Sequence, residues 1–511
     1  MNTQAKPEEA QFFGHPRGLM ILFLTEMWER FSFYGMKALL IFYLTRYHLF
    51  SDEGGNFIVG GYAALVYALP VLGGYLADRY LGFRKAVVFG GILLVLGHLG
   101  LAYEGHQAYI GEDGQVVRDN FALEFFFFSL ALIIMGVGFL KANISSIVGA
   151  LYDKDDIRRD SGFTIFYMGI NMGSFFATLL CGWLGVTYGW GYGFGAAGIG
   201  MVLGLITFIN GQKYLDGKAE PKNPQVLQEK LSVGINREWL IYILSFVGLF
   251  VVSHMVRDHE IVDWTLRITG ALALLVIIKF GLELDRVGRE RLLVLTVLII
   301  FSIVFWALFE QAYTSMNLYA ERVTERNFLG WEIPGPWFLS LNALFIIIFA
   351  PMVAALWVKL GKNNPNTPVK FALAIILVGL GFGALVLGIE STAEGAKVAM
   401  IWLVLAYLLH TLGELCLSPV GLSSVTKLAP PKIVGFMMGV WFLATASSEF
   451  IAAVLANLAK IDTQGGEVEN IGEAVQIYGN LFNTLFWSGL IFGGILLAIS
   501  PLLKKLMNGV K

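Results

Sequence analysis

Long apolar runs, each near the roughly 20 residues needed to cross a hydrocarbon core, dominate the chain. They fall near 18–45, 56–78, 84–103, 122–150, 162–186 and 191–210. They continue near 237–255, 263–282, 291–315, 335–359, 369–389, 398–426, 434–458 and 478–506. Each run predicts a helix, which makes about fourteen spans.

The first run breaks the apolar pattern. Between Leu19 and Leu44 it carries Glu26, Glu29 and Arg30, spaced as i, i+3 and i+4, so both carboxylates and the guanidinium share one helix face that Tyr34 extends by a turn. A charge at bilayer depth costs at least about 2.5–3.5 kcal/mol and persists where it pairs and lines a cavity. This helix is read as part of a pathway and not as an anchor. It is also too long for the apolar core of a signal peptide and is expected to be retained.

The polar stretch 211–236, with Pro221, Asn223 and Pro224, reads as a linker, and two more apolar runs follow before a second set starts near 291. The expected layout is six, two, six: a bundle over 1–210, a linker and two extra helices over 211–290, and a second bundle over 291–511. The halves share little sequence identity, so this repeat rests on topology.

Loop charge orients the chain, because Lys and Arg in short loops mark the cytoplasmic side. With the N-terminus inside, one face collects Arg79, Arg84 and Lys85, then Lys154, Arg158 and Arg159, then Lys213, Lys218, Lys222 and Lys230. Lys362, Lys370, Lys427, Lys504 and Lys505 fall on the same face later in the chain. The opposite loops, 104–121 and 460–477, are acidic and poor in Lys and Arg. Both termini are therefore expected in the cytoplasm.

Composition agrees with an all-α polytopic membrane protein: 511 residues, 56% hydrophobic, only 14% charged, with a mean hydropathy of +0.68. No basic stretch interleaved with aromatics points to nucleic acid. Cys181 and Cys416 both lie in spans, against a disulfide framework. His98, His254, His259 and His410 lack partners at ligand spacing, so no metal and no cofactor other than protons is expected. An enzyme would need a nucleophile, base or metal cluster facing one interface, and the sequence offers none.

Charge balance inside the spans is more informative. Glu26, Glu29, Glu310, Glu414 and Glu449 face Arg30 and Lys141 as deep cations, while Lys37, two turns beyond Arg30, either assists them or snorkels to the interface, the reading favoured here. Five carboxylates and two cations cannot all be ionised cheaply. The excess carboxylates are expected to hold protons and to release them when a cation arrives.

Two levels of family likeness follow. Gly73 to Lys85, with Asp78 able to accept from Arg79, Arg84 or a helix terminus, resembles the signature loop of the major facilitator superfamily. Glu26 to Gly35 resembles the ExxERF motif of the proton-coupled oligopeptide transporters. Phe163 to Ser174, Phe305 to Gln311 and Gly413 to Ser423 are similar to that family's stretches on helices five, seven and ten. The likeness runs through both halves in the right order.

The resemblance implies a major facilitator fold of two six-helix bundles, importing di- and tripeptides with protons by alternating access. It assigns proton coupling to Glu26, Glu29, Arg30, Lys141 and Glu310, with Lys141 pairing with Glu310 across the halves. It places the peptide carboxylate at Arg30 and Lys141, and the amino end at Glu414 beside Asn171 and Asn342. Tyr34, Tyr67, Trp306 and Trp441 become walls; Ser418 lies one turn after Glu414; Asp78, Arg79 and the helix-bending Pro419 become gating elements. Glu449 matches no position of the family.

The sequence also departs from the family. Phe33 replaces the first of two tyrosines, Ala142 follows Lys141 where proline is usual, and Ala343 follows Asn342 in the same way. No counterpart of the animal members' histidine lies around Phe57, which implies a bacterial type in the cytoplasmic (inner) membrane. A monomer suffices for the mechanism, and oligomeric state is left open. A carrier of nitrate or of a peptide-like drug is the alternative, and Glu414 weighs against nitrate because a free carboxylate suits an amine.

Overall fold

The structure is a computed structural model that describes residues 11–12, 14–153, 156, 158–221, 223–230, 234–461, 463–464 and 467–510. Lys154 and Lys222, two of the loop cations, lie outside the described residues.

The described residues are mostly helical. The first set is α1 (Arg17–Phe42), α2 (Asp52–Leu76), α3 (Phe83–Leu101), α4 (Asn120–Ala150), α5 (Arg159–Tyr188) and α6 (Trp190–Gly211). A short α7 (Pro224–Gln228) precedes two further long helices, α8 (Arg237–Arg257) and α9 (His259–Glu283). Then come α10 (Arg286–Phe309), α11 (Ser315–Arg322), α12 (Ser340–Leu360), α13 (Thr367–Glu390), α14 (Met400–Leu428), α15 (Val434–Ala456) and α16 (Ile471–Leu506). The strands are two-residue pairs in connections, such as Tyr109–Ile110 with Val116–Val117.

Among the described residues, thirteen helices are long and apolar enough to cross a membrane. Helix α1 is equally long at 26 residues but carries Glu26, Glu29, Arg30 and Lys37; with it the count reaches the expected fourteen. Several starts are set by side-chain caps that satisfy otherwise orphaned amides: Asp285 accepts from Gly288, Asn366 from Val369 and Asn470 from Glu473.

One predicted helix ends early. The run expected over 291–315 stops at Phe309, a 3-10 turn covers Glu310–Tyr313, and α11 follows. Gln311 sits in that turn, its amide donating to Ala307 O at 3.3 Å and to Ala452 O of α15 at 2.8 Å. A polar side chain tied to a neighbouring helix thus tightens the backbone where hydropathy alone predicts continuation.

The chain forms two compact units: Met1–Met36 with Leu69–Glu104 and Glu124–Ser253, and Lys37–Ala68 with Gly105–Leu123 and His254–Lys511. The second unit therefore takes in the end of α1 and the first two-thirds of α2 along with helices α9 to α16.

Each unit carries one of the extra helices. In the first, α8 lies against α3 and α4, with the Phe89 and Tyr242 rings 4.6 Å apart, Phe128 and Phe250 5.7 Å apart, and Lys85 2.7 Å from Glu238. In the second, α9 packs on α15, and its His259 ring stacks on Phe57 at 4.0 Å. Most of both extra helices is exposed, including Phe246, Phe250, Leu275 and Leu282, as expected of surfaces solvated by lipid tails. Tight packing elsewhere relies on small residues. A Cβ on Gly379 of α13 would lie 3.0 Å from the Gly489 Cα of α16, so these helices meet backbone to backbone.

Candidate functional site

In the first unit the charged face of α1 is sealed. Glu29 is 0% exposed, Arg30 2% and Glu26 3%. The Arg30 guanidinium donates to both oxygens of Glu29, at 2.6 Å from Nη2 to Oε1, and its Nε lies 3.4 Å from Glu26 Oε1. Helix spacing alone favours the i, i+4 partner; the long arginine side chain instead folds onto its sequence neighbour as well. The rings of Phe33 and Tyr34 stand 4.9 and 5.8 Å from the guanidinium carbon, a placement that favours the cation.

Burial of this cluster follows from α5. A Cβ on Gly173 would run into the Met27 carbonyl, so glycine at that position lets α5 lie directly on α1. Asn171, two residues earlier, is buried and donates to Tyr167 O at 3.1 Å. Among the described residues, Glu26 Oε2 is buried with no hydrogen-bond partner. Lys141 lies half-buried on α4 of the same unit.

In the second unit a cavity of about 250 Å3 opens among Tyr67, Trp306, Glu310, Ser418, Trp441 and Glu449. That is near the lower end of the about 300–1,000 Å3 usual for small-molecule sites. Aromatic faces and carboxylates thus share one concavity, built from α2, α10, α14 and α15. Two of its lining carboxylates hold the Lys37 ammonium, which lies 2.9 Å from Glu310 Oε2 and 3.4 Å from both oxygens of Glu449. The Tyr313 ring lies 4.2 Å from the same nitrogen. Lys37 is only 1% exposed.

Glu414, also buried, is on α14 one turn before Ser418. Asn342 of α12 donates to its Oε2 at 2.9 Å and to Thr411 Oγ1 at 3.1 Å. His410, a turn earlier, packs on Phe382, and its Nε2 donates to Val378 O at 3.1 Å.

Farther along, polar ties join the end of α1 and the start of α2 to the rest of this unit. Arg322 makes a bidentate pair with Asp52, both bonds 2.7 Å, and Arg46 reaches Glu321 at 2.9 Å. Asn56 donates to Asn457 at 2.9 Å and Asn317 to Ala38 O at 3.1 Å. Arg118 grips the backbone carbonyls of His48 and Leu49 at 2.6 and 2.9 Å. Burial, and then the Arg118 guanidinium, push the His48 imidazole down to about 4, so it is neutral at pH 7.

Comparison with known proteins fits this arrangement. The sequence pattern of the POT family (PTR2) matches residues 84–471. The chain belongs to the POT family. It is 42% identical over 507 residues to the uncharacterized transporter YclF of Bacillus subtilis, covering 98% of this chain and 96% of YclF. It is 36% identical to the peptide transporter YePEPT of Yersinia enterocolitica, covering 99% and 98%. Among solved structures it is similar to a peptide transporter POT in complex with alafosfalin, with TM-score 0.81, 38% identity and 98% of each chain covered.

As a POT-family transporter, the chain gathers the sequence-predicted residues into two groups. Glu26, Glu29, Arg30, Tyr34, Lys141 and Asn171 lie in the first unit; Tyr67, Trp306, Glu310, Asn342, Glu414, Ser418 and Trp441 lie in the second. Pro419 is exposed within α14. Asp78 and Arg79 are exposed too, with Arg79 donating to Tyr75 at 2.9 Å. Arg84, a candidate partner of Asp78, is paired with Glu220.

One expectation is overturned. Lys37 does not snorkel; its burial and its contacts with Glu310 and Glu449 make it a deep cation, so the count is five carboxylates to three cations. The role of Glu449, which matches no family position, is legible only from this contact. Asp52, Arg322, Arg46 and Glu321 were also missed. Their signal in the sequence is faint: acids opening α2 and a charged run after α10, both at span ends where water-facing charge is ordinary.

Proposed function

We propose that this POT-family chain is a proton-coupled symporter that imports di- and tripeptides by alternating access. The carrying observation is the buried Lys37 ammonium, held at 2.9 Å by Glu310 and at 3.4 Å by Glu449, the two carboxylates that line the cavity. Two buried carboxylates drawing on one ammonium leave an excess negative charge, and a proton is the smallest species that removes it. Protonation weakens the hold on Lys37 and so loosens the end of α1 from α10 and α15. The end of α1 is also where Arg46 and the neighbouring Asp52 are tied down, so one proton acts on a latch of several bonds.

In this proposal the halves 1–210 and 291–511 alternate access, with 211–290 as linker and extra helices. Arg30 and Lys141 receive the peptide carboxylate, while Glu26 and Glu29 set the charge around Arg30. Lys141 pairs with Glu310 across the halves during the cycle. Glu414 receives the amino end, steadied by Asn342, with Asn171 and Ser418 as polar neighbours. Tyr34, Tyr67, Trp306 and Trp441 offer apolar faces that tolerate many side chains. Asp78, Arg79 and Pro419 serve gating.

The chain works in a bacterial inner membrane with both termini in the cytoplasm, and a monomer is enough. Orientation rests on the loop cations, and it puts the Asp52–Arg322 latch on the outer side. A membrane potential supplies about 2.3 kcal/mol per charge per 100 mV, so a co-moved proton can drive accumulation. The test is peptide-dependent acidification inside liposomes that hold the protein and a pH-sensitive dye. Acidification on adding an outside dipeptide is expected; proton flux unaffected by peptide contradicts symport.

A further inference from the structure

A second, larger cavity of about 640 Å3 lies at the C-terminal ends of α14 and α16, closed by the connection from α12 to α13. Lys362, Lys370, Lys427 and Lys504 line it, and no Asp or Glu appears among its described lining residues. Four ammonium groups around one concavity repel each other and focus a positive potential into it. An ordinary solvated surface places such lysines outward and interleaves acids; this one converges on a hollow.

Lys370 is the decisive residue. It is 8% exposed, lies over the Trp357 ring at 4.7 Å, and makes no side-chain hydrogen bond or ion pair among the described residues. A buried ammonium without an anionic partner is costly, yet this one borders the hollow where an anion can reach it. Asn366, Thr367, Val369 and Lys370, the first turn of α13, line the same hollow. The positive end of a 24-residue helix therefore adds to the four lysines.

The cavity is distinct from the one at Glu310. Val420, Ser423 and Ser424 of α14 line the basic hollow, whereas Leu417, Ser418 and Leu422 line the other. One helix thus borders both on different faces.

We infer that the basic cavity is a binding site for a phosphate-bearing anion, either a free phosphate or the headgroup of an anionic phospholipid. Lysines hold phosphate as point charges, and basic pockets between membrane helices suit lipid headgroups. The site does not depend on the transport reading, because none of its residues has a role there.

Thermal unfolding of the full-length protein in nanodiscs tests it. In one arm inorganic phosphate is titrated into phosphatidylcholine discs, with sodium chloride at matched ionic strength as control. In the other arm the phosphatidylglycerol fraction of the discs is raised. A saturable rise in unfolding temperature is expected in at least one arm, with the half-saturation point about tenfold higher in Lys370→Gln. Lys504→Gln, an exposed position that tolerates change, is expected to shift it in the same direction and covers the case in which Lys370→Gln does not fold. A response to phosphate alone identifies a free anion; a response to phosphatidylglycerol identifies the headgroup. Absence of a saturable rise in both arms, or equal half-saturation in the wild type and in every folded variant, overturns the site.

Discussion

Lys37 and Glu310 meet at 2.9 Å although 273 positions separate them in the chain. Both are buried, and breaking a buried pair by removing one partner strands the other charge. In the proposed cycle a proton on the carboxylate releases the same ammonium without stranding a charge.

The first prediction concerns that carboxylate. Glu310→Gln keeps the shape and a weaker hydrogen bond to Lys37 but cannot cycle a proton. Potential-driven peptide accumulation in liposomes is expected to vanish while counterflow exchange persists. Undiminished driven uptake removes Glu310 from the coupling.

Glu449 should help to hold Lys37. Its carboxylate lies 3.4 Å from the same Lys37 ammonium. Glu449→Gln leaves Lys37 with Glu310 alone and is expected to lower the thermal unfolding midpoint, an effect that largely disappears when Lys37→Met is already present. Fully additive losses show that Glu449 and Lys37 are not coupled.

A third prediction tests the latch. Arg322 and Asp52 are both nearly inaccessible, at 3% side-chain exposure each. Arg322→Ala leaves Asp52 buried and unpaired and should lower stability by about 3–5 kcal/mol, seen as a fall in the thermal unfolding midpoint. Adding Asp52→Ala removes the stranded charge and should recover part of the loss; a fully additive double variant argues against direct coupling.

Substrate recognition offers the fourth. If Glu414 takes the peptide amine, Glu414→Gln loses a charge-assisted bond of about 1.5–3 kcal/mol. Competition against a labelled peptide is expected to weaken roughly ten- to hundredfold for free dipeptides and little for N-acetylated ones. Equal weakening of both classes points to a structural role instead.

Much of this was legible in the sequence, and for physical reasons. Hydropathic length fixes spans because a bilayer imposes it, and the charges of α1 stand out against that background. The family resemblance implied Tyr67, Trp306, Glu310, Ser418 and Trp441, which four separate helices carry to one cavity. Lys37 was misread because its depth is a tertiary property: position on α1 is compatible with snorkelling until α10 and α15 are packed against it. Asp52 and Arg322 were invisible for a similar reason, since each alone is an ordinary charge at a span end. The early end of α10 depended on Gln311 finding a carbonyl on α15, a contact 141 residues away.

The most direct test of proton-coupled peptide import is uptake of labelled dialanine into liposomes holding the pure protein under an inside-negative potential. Accumulation above the outside concentration that collapses on adding a protonophore is the predicted result. Dialanine that never accumulates in an active, correctly inserted preparation, or accumulates regardless of the protonophore, contradicts it.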